Sequence, residues 1–228
     1  AVDAIAAGLI DAGVPRDGVL LVQGANSAIL VLFRLACEKA GIIPAFLYVG
    51  SRRSEIEAVS RKLNPVGAVI AADGKTDLLS VYRSLGLARN LQFLFTLEPN
   101  AFGIPSITDL SERHVVVDFG ARCIRPYEMT GIVSSSGTTG PPKCIEYSCW
   151  PRLASSRVYI ERLRITENDV ILTCIPFYTG GGDMQFHISP QIGAKFVVLS
   201  KFTPEETCRL IEREAVTGAA MVPTMIAR

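Results

Sequence analysis

Short apolar runs alternate with stretches of helical periodicity along the front of the chain, each change marked by Gly, Pro or a capping residue, and this alternation admits very few folds. Residues 1–12 carry apolar side chains at helical spacing, and Gly13-Val14-Pro15-Arg16-Asp17-Gly18 stops them in a turn. Val19–Gln23 reads as a strand. Asn26-Ser27 can cap a helix over 28–40 that ends at Gly41. The pattern then repeats: a strand at 42–48, a helix capped by Ser51 and running to Leu63, a strand at 67–72, a helix at 76–85 and a strand at 91–97. Connections this short, between strands separated by helices, make right-handed βαβ crossovers the economical topology. The expected class is α/β, a mostly parallel sheet with flanking helices.

Residues 100–125 are less periodic, with Gly103, Pro105 and one apolar run at 115–119, and read as a loop-rich connection carrying a strand. Two subdomains could meet there, near 100–130. Beyond it the pattern predicts a strand at 129–134, a helix at 150–163 and a strand at 170–176. Phe177-Tyr178-Thr179-Gly180-Gly181-Gly182 follows, where consecutive glycines call for a tight turn or a close backbone approach, and Asp183 is placed to cap a helix. A strand at 195–199, a helix begun by Thr203-Pro204-Glu205-Glu206 and running to Ala215, a strand at 218–222 and a helical turn opened by Pro223 complete the reading.

Composition excludes several classes. With 23 Lys plus Arg against 22 Asp plus Glu, no whole-molecule field favours nucleic acid or an anionic membrane, so anion binding has to be local. The six cysteines show no C-x-x-C pair and the two histidines, His114 and His187, are far apart, which argues against a zinc site and against a secreted disulfide framework. No apolar run approaches the roughly 20 residues of a membrane span. Cytoplasm is the expected compartment. The first residues resemble neither a signal nor a transit peptide.

Chemistry concentrates in one loop. Ile132-Val133-Ser134-Ser135-Ser136-Gly137-Thr138-Thr139-Gly140-Pro141-Pro142-Lys143 is dense in hydroxyls, in glycines that let backbone N–H groups approach a ligand, and ends in a cation. That is a donor set for polyphosphate. It is not a Walker A loop, because counting from Gly137 puts Pro142 where the second Gly belongs and Cys144 where the Mg²⁺-binding hydroxyl belongs. Nor is it a dinucleotide fingerprint, since Gly137 and Gly140 have no third partner at the required spacing.

The loop resembles the phosphate-binding signature of the adenylate-forming superfamily, the acyl-CoA synthetases, peptide-synthetase adenylation domains and luciferases, whose pattern is [ST]-S-G-[ST]-T-G-x-P-K-G. Ser135-Ser136-Gly137-Thr138-Thr139-Gly140-Pro141-Pro142-Lys143 matches every position but the last, where Cys144 replaces Gly. If that Gly serves a positive φ, a side chain there costs on the order of 1 kcal/mol. The stretch Cys174-Ile175-Pro176-Phe177-Tyr178-Thr179-Gly180-Gly181-Gly182 is similar to the family's L-P-L-F-H-x-x-G, with Thr179 in the His position. The early N-S turn and K-A-G helix end, and the late F-x-P-E and V-P-T pieces, recur in the same order.

The resemblance implies the N-terminal part of an AMP-binding (adenylation) domain over residues 1–228. It implies ATP-dependent activation of a carboxylic acid to an acyl-adenylate with release of pyrophosphate, and transfer to a thiol of CoA or a carrier protein. Ser135, Ser136, Gly137, Thr138, Thr139 and Gly140 would bind the ATP phosphates, and Lys143 would stabilise their charge in the displacement. Tyr178, Thr179 and Gly182 would border the acyl and acceptor channel. The family's Mg²⁺-placing Glu, its ribose-binding Asp and the lysine of its mobile C-terminal domain fall outside this sequence, so the fragment alone is expected to be inactive. The rival reading is a catalytically incomplete adenylation-like module that binds nucleotide or acyl groups or mediates protein interaction; Cys144 and Thr179 support it. His114 and His187 read as packing or surface residues, Trp150 and Phe186 as packing residues, and Arg52-Arg53 with Arg61-Lys62 as a solvated charged face.

Overall fold

A computed structural model describes residues 1–71, 78–89, 91–113, 115–134 and 142–227. The chain divides into two compact units, one of residues 1–24 and 29–149, the other of 25–28 and 150–228.

The first unit contains α1 (Val2–Asp11), β1 (Val19–Gln23), α2 (Ala28–Ala40), β2 (Ile43–Phe46), α3 (Arg53–Leu63), β3 (Gly67–Ile70), α4 (Leu78–Arg89), β4 (Phe93–Thr96), α5 (Ile107–Ser111), β5 (Met129–Ser134) and β6 (Cys144–Ser148). Its sheet has the order β4-β3-β1-β2-β5-β6. All neighbours are parallel except the last pair, where β6 returns antiparallel along β5 with Ser134 opposite Cys144. Residues in β1, β2 and β3 are buried almost throughout, as strands covered on both faces must be. Leu21, Ala45, Ala68 and Ile132 from the sheet pack with Ile56, Val59 and Tyr82 from α3 and α4 into one core. Against α1, a Cβ at Gly8 would lie 2.9 Å from the backbone oxygen of Leu110, so a glycine is needed for α5 to sit that close.

Residues 100–130 therefore lie inside the first unit. Its division from the second falls after Cys149, because α5 packs on α1 and β5 enters the sheet. The strand expected at 115–119 does not form: Val116 is fully exposed and a 3₁₀ turn follows at Gly120–Arg122. Among the described residues that run pairs with no strand. The segment is tied down instead by Arg122, whose guanidinium donates to Val14 O (3.1 Å) and Ala40 O (3.4 Å). Ser51 does not cap α3; Arg52 is the N-cap residue, and its N–H is held by Glu55 Oε2 at 2.7 Å.

The second unit contains α6 (Cys149–Leu163, from Trp150 onward), β7 (Val170–Thr173), α7 (Gly180–Gln185), α8 (Ile188–Ile192), β8 (Lys195–Val198), α9 (Pro204–Glu214), β9 (Gly218–Ala220) and α10 (Pro223–Ile226). Three parallel strands stand in the order β8-β7-β9. Leu172, Cys174, Val197 and Leu199 meet Leu210 of α9 on one side of this sheet. Thr203 caps α9 as its sequence announced, accepting from Glu206 N at 3.2 Å, with Pro204 in the first turn. Phe186 packs on Phe177 with ring centroids 4.2 Å apart, whereas Trp150 is about half exposed and contributes little to packing. All six cysteines are free.

Candidate functional site

In the first unit, β1, β2 and β5 run parallel and release their following loops at the same edge, the carboxyl end where open α/β sheets place ligands. Gln23, the last residue of β1, organises that edge. Its Nε2 donates to the carbonyls of Tyr48 (3.3 Å), Val49 (3.1 Å) and Ser51 (3.4 Å), and its Oε1 accepts from the buried Tyr82 hydroxyl at 3.0 Å. Burial pushes the Tyr82 phenol far above its ordinary value, so it stays a donor. The loop after β2 is thereby fixed by one amide. Nothing in the sequence singled out Gln23, whose partners are backbone groups in a distant turn.

The hydroxyl-rich loop joins β5 to β6. Ser135, Ser136, Gly137, Thr138, Thr139, Gly140 and Pro141 lie outside the described residues, as does His114. Both flanks are defined. Ser134 Oγ donates to Phe46 O at 3.1 Å, fixing the strand end that enters the loop, and Lys143 is exposed immediately before β6. Cys144 is the first residue of β6, extended and paired with Ser134, and is not among the residues of positive φ. Its side chain packs on the sheet core, and burial raises its thiol pKa. A glycine is not required there for backbone conformation.

In the second unit, the turn after β7 is built largely from side chain to backbone hydrogen bonds. The Thr179 hydroxyl donates to Pro176 O (2.7 Å) and accepts from Gly182 N (3.2 Å), capping α7. Gly182 is obligatory: a Cβ would stand 2.1 Å from the Pro176 oxygen. Asp183 is not the cap. It lies inside α7, buried, with its carboxylate 2.8 Å from the guanidinium of Arg152. Asn26, which with Ser27 is expected to cap α2, clasps the turn through its side chain: Nδ2 donates to Ile175 O and Oδ1 accepts from Phe177 N, both at 2.9 Å. Sequence showed the residue types at 26, 152 and 183 but not these pairings.

Beside this turn the second unit holds a cavity of about 610 Å³, within the range of small-molecule sites. Its wall is mainly apolar, with Tyr159 and Leu163 of α6, Ile171 of β7, Met184 of α7, Ile188 of α8 and Met221 beyond β9, and with the Gln185 amide among its polar parts. Of the expected channel residues, Tyr178 and Thr179 are half-buried and Gly182 is buried in the turn next to it; the Thr179 hydroxyl is already committed to the cap. His187 is buried at the start of α8. No group of three or more His, Cys, Asp or Glu side chains able to hold a metal occurs among the described residues.

A mostly parallel α/β sheet with a hydroxyl-rich loop at its carboxyl edge defines the class as an adenylate-forming fold, and the comparisons with known proteins agree. The chain belongs to the AMP-binding enzyme family, whose profile matches residues 1–228. A medium/long-chain fatty-acid–CoA ligase of Mycobacterium tuberculosis is 26% identical over 128 residues, 50% of this chain and 22% of that protein. A mitochondrial medium-chain acyl-CoA ligase of Mus musculus is 27% identical over 254 residues, 98% of this chain and 41% of that protein. "Protein Y" of Streptomyces griseus is 25% identical across 98% of this chain and 74% of its own length.

Among solved structures, o-succinylbenzoate CoA synthetase of Bacillus subtilis, in complex with the acyl-adenylate intermediate, superposes with a TM-score of 0.81 at 18% identity, covering 99% of this chain and 55% of that one. A long-chain-fatty-acid CoA ligase structure from Rhodopseudomonas palustris, described as putative, gives 0.83 at 23% identity, covering 99% and 56%. The chain thus spans about half the length of these solved structures and less of the two CoA ligases.

Proposed function

We propose that this chain supplies the phosphate-binding and acyl-binding front of a ligase that activates a carboxylic acid with ATP. The observation that carries the reading is the Ser135–Lys143 loop standing between β5 and β6 of a chain matched by the AMP-binding family from end to end. Ser135, Ser136, Thr138 and Thr139 offer hydroxyl donors, Gly137 and Gly140 let the backbone approach, and Lys143 supplies a positive charge. A substrate carboxylate oxygen attacks the α-phosphorus, the bond from that phosphorus to the bridging oxygen breaks, and pyrophosphate leaves with the electron pair. No proton has to move in this step, so the protein's task is positioning and charge stabilisation.

The apolar cavity receives the acid's tail; Ile175 and Gly181 line it, while Tyr178, Thr179 and Gly182 of the same turn are not among its lining residues. Magnesium accompanies the phosphates, and the described residues offer it no group of three or more His, Cys, Asp or Glu side chains. The acyl group then passes to a thiol, of CoA or of a carrier protein, a reading favoured by matched relatives that are named CoA ligases. A second reading, a catalytically incomplete module that binds nucleotide or acyl groups, draws support from "Protein Y", of which the match covers 74%, and from Thr179 standing where the family pattern has His.

Titration calorimetry with ATP tests the nucleotide site. Lys143→Ala is expected to weaken binding by about tenfold, the effect of losing one charge-assisted contact. Equal affinity for the two proteins would remove the loop from the reading. Acid-dependent exchange of labelled pyrophosphate into ATP separates ligase from incomplete module.

A further inference from the structure

Helix α7 shows two faces. Gly181, Met184 and Gln185, at i, i+3 and i+4 of α7, line the cavity together with Ile188 of α8. Asp183 is not among them and is 1% exposed, with its Oδ2 2.8 Å from Nη2 of Arg152, which is itself 9% exposed. Nη1 of the same guanidinium donates to Gly180 O at 3.3 Å. One arginine on α6 therefore grips α7 twice, by a side chain and by the carbonyl of its first residue.

The grip answers a local weakness. α7 has six residues and opens with three glycines, the poorest helix formers after proline, and so short a helix has little stability of its own. Apolar residues of similar volume would fill the same space at no loss of stability in many proteins, and usually with less dependence on geometry. A buried ion pair instead holds the two helices together through charge, and the directional contact beside it is the hydrogen bond from Nη1 to Gly180 O. Side chains of Thr179, Asn26, Thr173 and Gln185 hydrogen-bond to the backbone of the turn and of α7, and the Arg152–Asp183 pair ties α7 to α6.

We infer that Arg152 and Asp183 form a positioning pair that sets the cavity-facing wall of α7 and thereby which acids fit. The inference rests on the reading of the cavity as the acyl site. Neither residue touches the acid; both act through Met184, Gln185 and Ile188.

The test uses the complete ligase of which this chain is the front, carrying the double substitution R152M/D183M, which removes the charges together and leaves no buried ion alone. Pyrophosphate exchange is measured with octanoate, decanoate, dodecanoate and benzoate. The ratios of kcat/KM between acids are expected to change by at least about fivefold, within what one methylene in an apolar pocket is worth, and mainly through KM. A folded double variant with the wild-type acid profile overturns the inference. Amide hydrogen exchange over residues 180–188 reads the grip directly in R152K, which keeps the cation but loses the forked donor. Faster exchange there, with residues 204–214 unchanged, is expected, and unchanged exchange at 180–188 overturns the grip. A wild-type protein that exchanges pyrophosphate with no acid sinks the ligase reading and the acid-selection half of the inference, while the hydrogen-exchange result still decides the grip.

Discussion

Replacing Asn26 by alanine should destabilise the second unit far more than an ordinary polar truncation. The amide is 5% exposed and makes two hydrogen bonds at 2.9 Å, to Ile175 O and from Phe177 N. Phe177 is itself 1% exposed, so its N–H loses its partner in a place water does not reach. Each abandoned buried backbone group costs about 1–3 kcal/mol, and the two together about 2–6 kcal/mol. Asn26→Asp makes the sharper case. It preserves the acceptor for Phe177 N but sets a carboxylate oxygen against the Ile175 carbonyl, so it should cost as much as alanine despite its shape. Urea unfolding followed by the fluorescence of Trp150, the single tryptophan and a member of the same unit, reads the change without confusion from the first unit. With a slope of about 1–3 kcal/mol per molar urea, the midpoint should fall by roughly 1 M or more. A shift equivalent to less than about 0.5 kcal/mol, the usual effect of a surface substitution, would refute the claim that Asn26 clasps the turn.

Cys144→Gly should leave ATP affinity within about threefold of wild type while lowering stability by about 1 kcal/mol, because the residue is extended and packs on the core; calorimetry showing markedly tighter binding would mean that a glycine is needed there after all. Glu128→Gln should reduce the loss of stability in acid. The Glu128 carboxyl is held below its ordinary value by the Arg125 N–H and then by Arg16, so its contribution is present above the unfolded value of about 4.3 and disappears as pH falls through the lower folded value. Thermal midpoints compared from pH 6 down to pH 3 check this, and parallel curves for the two proteins would contradict it.

The front of the chain was legible because local signals and tertiary demands coincide there. Val19–Gln23 is apolar enough to be buried on both faces, Gly41 closes α2 with a positive φ, and the four crossovers leave little topological freedom. Strand β6 was not legible: Cys144–Ser148 alternates weakly and is half exposed at the sheet edge, and only the return from β5 makes it a strand. At 115–119 the error ran the other way, since β-branched residues without a sheet edge to join remain irregular.

Polar residues show the same division more sharply. Thr203 does what its sequence position suggests, because its partner Glu206 N is three residues away. The side chains of Asn26 and Asp183 find other partners than the position suggests, and that of Gln23 has no local signal at all, because what they bind is distant in the chain: Ile175 and Phe177 for Asn26, Tyr48 to Ser51 and Tyr82 for Gln23, Arg152 for Asp183. A capping side chain and a clasping one have the same chemistry, and the choice between them is made by burial. Once a backbone segment such as 175–177 is shut away from water, its donors and acceptors must be met, and an amide brought beside it by the fold is worth more there than at a helix end that water can reach. For that reason the signature loop named the family, whereas the residues that shape the turn after β7 could be found only in three dimensions.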